Sequence, residues 1–127
     1  MNNKHDLCAR AYLEYYRHHF KKYAWSCDYA DQLLAESYSK CYDFVREVVD
    51  LCKTADEIVY VAAGILEDLI HVYPTDIAKD LHYALAESEN MRKAIDCILS
   101  SQNAAARKEL QGLFKAIKVL NAIKNFP

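Results

Sequence analysis

Apolar residues recur along this chain at the three- and four-residue steps of an α-helix, and no stretch alternates with the period of two that a strand needs. The first helix is predicted over about 6–22. Its polar stripe is Arg10, Glu14, Arg17 and Lys21, with Cys8, Ala11, Tyr12, Tyr15 and His19 on the other side. Residues 23–53 read as one broken helix or two, with Leu33, Leu34, Tyr38, Cys41, Tyr42, Val45, Val48, Val49 and Cys52 inward and a bend near Ser37-Tyr38-Ser39. Thr54-Ala55-Asp56-Glu57 is a capping box, so a helix starts there. Ile58, Val61, Ala62, Ile65, Leu66, Leu69 and Ile70 form its inner stripe, and Pro74 ends it. A further helix over about 75–86 turns Ile77, Leu81 and Leu85 inward. Ser88 caps the next, which carries Met91, Ile95, Ile98 and Leu99. Asn103 caps a last one with Leu110, Leu113, Phe114, Ile117 and Leu120 inward.

Six or seven helices joined by short connections predict an all-α fold, an antiparallel helical array in which stacked pairs fit better than a four-helix bundle. Helical-repeat stacking is conceivable, although no internal repeat is visible. At 127 residues the chain is read as a single domain, 1–127. Two glycines and two prolines are too few for a turn-rich sandwich or barrel, and they leave no Gly-rich phosphate loop. Gly64 falls mid-helix, where it costs about 0.5–1 kcal/mol relative to alanine, so a close neighbour is expected at its backbone. The five cysteines lack Cys-x-x-Cys spacing and read as reduced core residues, with no metal or other cofactor expected. There is no signal-peptide pattern and no run that would span a bilayer, which predicts a cytoplasmic chain without a membrane role.

Net charge is only −2, but it is unevenly spread. Residues 54–102 carry nine acidic and three basic groups, whereas 103–127 carry five basic and one acidic. An acidic block favours a basic partner.

The stretch Val61-Ala62-Ala63-Gly64-Ile65-Leu66-Glu67-Asp68-Leu69-Ile70 resembles the signature of a bacterial helical domain family of unknown function, Ala-Ala-Gly-x-Leu-Glu-Asp-Leu. Met91-Arg92-Lys93-Ala94-Ile95 resembles a later Arg-x-x-Ala-like element of that family. The resemblance covers about residues 40–115. It departs at Ile65, where the family often has proline, and in having Trp25 as the chain's one tryptophan. It implies a helical fold and no particular reaction. In size, compactness and charge the chain is also similar to immunity proteins of bacterial toxin–immunity systems, such as those of contact-dependent growth inhibition.

Two stripes are candidate surfaces. Tyr60, Gly64, Glu67 and His71, with Asp68 alongside, lie opposite the apolar face of their helix. They read as a docking surface, as a Glu67–His71 acid/base pair, or as a weak surface ion pair beside a packing glycine. Asp76, Asp80, Tyr83 and Glu87 form a second stripe that is either a solvated face or a site for a basic partner. No nucleophile or metal motif accompanies them, so the chain is not expected to be an enzyme. Arg17-His18-His19-Phe20-Lys21-Lys22-Tyr23 mixes cations with aromatics, but on a continuous helix these would wrap around the rod and make no patch.

The expectation is therefore an immunity-type binding protein that neutralises a cognate, nuclease-like bacterial toxin. It would occlude the toxin's active site or substrate surface through Tyr60, Glu67, Asp68, His71, Asp76, Asp80, Tyr83 and Glu87. The alternative is a helical scaffold or nucleic-acid-associated regulator using the basic last helix with Arg107, Lys108, Lys115, Lys118 and Lys124.

Overall fold

The computed structural model describes residues 3–99, and within them all regular structure is helical. The expected last helix, from Asn103 through its basic residues, lies outside the described residues. Helix α1 spans Asn3–His18, α2 Trp25–Glu36 and α3 Tyr38–Leu51. Helix α4 (Ala55–Val61), a π turn (Ala62–Leu66) and α5 (Glu67–Val72) follow as one interrupted rod. Helices α6 (Pro74–Glu87) and α7 (Glu89–Leu99) complete the described part, giving six helices there if the rod counts as one. The all-α reading of the sequence holds.

Each junction follows from local chemistry. Ser37 separates α2 from α3: its backbone is extended and its hydroxyl accepts from the Lys40 N–H, so the ambiguous stretch 23–53 is two helices. Thr54 accepts from the Glu57 N–H at 3.2 Å, as the predicted box requires, and the Glu57 carboxylate reaches back one residue beyond the cap to accept from the Lys53 N–H at 2.7 Å. Pro74 occupies the first turn of α6, where its missing N–H removes nothing the helix needs. Ser88 accepts from the Met91 N–H at the start of α7.

Helix α1 ends four residues earlier than the periodicity predicts. His19 takes a left-handed backbone with φ 56°, and the chain then forms a short 3-10 turn over Lys21–Tyr23. His19 is consequently exposed rather than inward.

Helix α1 packs against α2, α3 and α4, while α7 packs against α3, α4, the π turn and α6. Between them lies one connected core, in which Phe44, Leu13, Leu66, Leu69, Ile77, Leu81 and Ile95 are fully buried. Every predicted inner residue of the 55–72 rod is buried. Polar ties fix the ends. Asn90 donates to the carbonyls of Val49 and Cys52, and Arg92 donates to the Leu85 carbonyl. Cys8, Cys41 and Cys52 are buried, Cys27 and Cys97 half-buried, and all five are free thiols. Burial pushes the Cys41 and Cys52 thiols up to about 12.

Candidate functional site

The two predicted stripes meet different fates. On the first, Tyr60 is half-buried. It stacks on Tyr16 with ring centroids 4.3 Å apart and leans on Tyr12 at 5.5 Å. Its hydroxyl lies within reach of the Tyr12 hydroxyl and the Cys27 thiol, and burial raises its ionisation point. Tyr60 thus serves mainly to join α1 to α4.

Gly64 explains why Tyr12 can sit there. A Cβ on Gly64 would stand 3.3 Å from the Tyr12 hydroxyl. The rod loosens at the same point: Gly64 has φ −103° and ψ −106°, within the π turn. The close neighbour expected at this glycine is therefore a tyrosine hydroxyl from α1.

Beyond the π turn the surface opens. Asp68 and His71 are exposed and Glu67 half-buried. His71 Nε2 lies 3.9 Å from Glu67 Oε1, a long contact on an exposed turn and the geometry of a weak surface pair. The Asp68 carboxyl is pushed up by partial burial, with the charges of Asp31 and Glu67 adding and His71 opposing. Asp31, on α2, is the residue here that sequence reasoning missed. Nothing in its own stripe announces that α2 passes beside α5.

The α6 stripe stands mostly outward. Asp76, Tyr83 and Glu87 are exposed, and Tyr83 keeps 70% of its surface in solvent. Asp80 is half-buried and tied into the fold: the Tyr38 hydroxyl donates to its carboxylate at 2.5 Å, and the Tyr42 hydroxyl donates to its carbonyl at 3.2 Å. Burial and this carboxylate together raise the Tyr38 ionisation point, so Tyr38 keeps its proton and remains a donor.

Among the described residues, no lysine or arginine forms an ion pair within 4 Å of Asp68, Asp76, Asp80 or Glu87. The ion pairs of Arg10 and Arg17 go instead to Asp6, Glu14 and Glu57. Arg46 lies over the Tyr42 ring, 5.9 Å from its centroid. With Asp50, Glu87, Ser88, Glu89 and Asn90 it lines a cleft of about 380 Å³ where α6 turns into α7 beside α3. This polar indentation continues the α6 face towards the α7 end.

Arg17, placed in a solvated stripe by sequence, belongs instead to an inner bridge. Its guanidinium grips Glu57 with two bonds of 2.6 and 3.1 Å and donates to Glu14 at 3.1 Å. Glu57 is only 5% exposed. Arg17, with the Lys53 N–H, holds its carboxyl down at about 2 against the opposing effect of burial. The bridge locks α1 to the α3–α4 corner.

Among the described residues, no cluster of three or more His, Cys, Asp or Glu side chains could hold a metal ion, and no helix is long and apolar enough to cross a membrane. Comparison with known proteins gives no matching family model, no matching curated protein and no matching solved structure.

Proposed function

We propose that the chain is an immunity-type binding protein that neutralises a basic, nuclease-like toxin by covering its active site or substrate surface. It would act by binding rather than by catalysis. The observation that carries this reading is the α5–α6 surface. Asp68, Asp76 and Glu87 stand exposed, no lysine or arginine among the described residues pairs with them, and Tyr83 projects between the α6 carboxylates. Exposed carboxylates attract a cationic cleft and speed encounter, and a projecting tyrosine adds contact area once the surfaces meet. The chain's likeness to immunity proteins in size, compactness and charge is in keeping with this reading.

On this reading not every residue of the two stripes meets the partner. Tyr60 is engaged with α1 and Asp80 with Tyr38, so Asp76, Tyr83, Glu87 and Asp68 carry the contact, with Glu67 and His71 at its edge. The test is protection of cells that express the polypeptide encoded immediately upstream of this chain's gene. The unaltered chain is expected to restore growth and to bind that polypeptide. The pair Asp76→Lys and Glu87→Lys is expected to weaken binding by more than about 1 kcal/mol, mostly through slower association at low salt. Unchanged affinity of that double variant removes this surface, and absence of protection by the unaltered chain removes the immunity reading.

A further inference from the structure

A second surface lies where α1 turns into α2, and the acidic face does not account for it. The left-handed His19 stops α1 and throws the following residues outward, so the cations and aromatics of 18–25 form a corner rather than a wrap around a helix. Phe20 is 51% exposed and Trp25 47%. The Phe20 ring stacks on His18 at 5.2 Å, and the Lys22 ammonium sits 5.7 Å from its centroid. Next to this corner an apolar groove of about 510 Å³ runs between α1 and α2, lined by Leu7, Ala11, Tyr23, Trp25 and Tyr29. Leu7, at its edge, is 64% exposed. Exposed apolar residues gathered beside a groove mark a contact surface.

The order of charges around Trp25 identifies the occupant. Lys21 and Lys22 precede it by one turn and Asp28 follows it by one turn, and all three are exposed. Arg10 and Glu14 bring both signs to the groove wall on α1 as well. A phosphate polymer or anionic lipid surface would meet Asp28 as a repulsive group. A twofold axis through Trp25, in contrast, sets Lys21 and Lys22 of one chain against Asp28 of the other and closes Trp25 on its own copy. We infer that the Leu7–Trp25 face is the contact of a symmetric dimer formed by a second copy of this chain.

Sedimentation velocity over a concentration series, read together with the emission of Trp25, the chain's one tryptophan, tests this directly. A reversible monomer–dimer equilibrium is expected, with the emission shifting to the blue as the dimer forms. Trp25→Ala is expected to give a monomer with an unchanged helical spectrum and melt. Should that variant fail to fold, the charges decide the question. Reversing Lys21 and Lys22 to Glu, or Asp28 to Lys, is expected to weaken the dimer roughly tenfold each, and combining all three restores it. A monomer at every concentration overturns the inference, as does a dimer whose formation leaves the emission unmoved or whose strength does not recover in the combined variant.

Discussion

Glu57 shows how much one side chain can hold in this fold. It caps α4, accepts from the Lys53 backbone and receives two bonds from Arg17, all while nearly excluded from water. A carboxylate with its folded ionisation point near 2 and an ordinary unfolded value stabilises the native state fully above about pH 4.5. That contribution fades as pH falls through the folded value. Urea melts between pH 5 and pH 2 are expected to show a loss on the order of 2 kcal/mol from this group, and the loss should be absent in Glu57→Gln. The substitution should itself destabilise the protein at neutral pH, because Arg17 then lacks its main counter-charge. An equally steep acid slope in Glu57→Gln would assign the effect to other carboxylates. The sequence showed the capping half of this role in Thr54-Ala55-Asp56-Glu57. It hid the other half, since Arg17 lies forty residues away in a stripe of mixed charges that reads as solvated.

At the scale of the helix, the π turn at Ala62–Leu66 is where local pattern and tertiary contact part company. The apolar spacing through 58–70 is that of an unbroken α-helix, and its buried set is the predicted one. The interruption falls at Gly64, the residue where a Cβ would stand 3.3 Å from the Tyr12 hydroxyl of α1. Gly64→Ala is therefore expected to destabilise the protein despite alanine's better helix propensity, because the new methyl group and the Tyr12 hydroxyl compete for one space. In combination with Tyr12→Phe the penalty should shrink, giving a coupling of about 0.5 kcal/mol or more in a double-mutant cycle followed by denaturant unfolding. Additive penalties would mean that the hydroxyl is not what the glycine accommodates. Helix ends show the same division. Thr54, Pro74 and Ser88 mark boundaries through their own chemistry and were legible, Ser37 was legible only as a bend, and the end of α1 at His18 was not. A left-handed histidine carries no signature as strong as glycine's.

For the whole molecule, two surfaces of different character emerge from one helical array: an acidic one on α5–α6 and an aromatic, mixed-charge one at the α1–α2 corner. The first was readable because α6 presents Asp76, Tyr83 and Glu87 at regular helical steps. The second was not, because it depends on a chain reversal that periodicity places inside a helix. Tyrosines spread their effort between these roles. Tyr12, Tyr42 and Tyr60 bind helices together, while Tyr83 remains outside. A chain with five free thiols also carries its own stopwatch. Cys41 and Cys52 are sealed in the core and held protonated, so an alkylating reagent reaches them only when the fold opens. Mass spectrometry over an alkylation time course is expected to show Cys27 and Cys97 labelled early and Cys41 and Cys52 labelled together at the pace of global unfolding. Early labelling of Cys41 alone would reveal an α3 that loosens from its neighbours before the rest of the molecule.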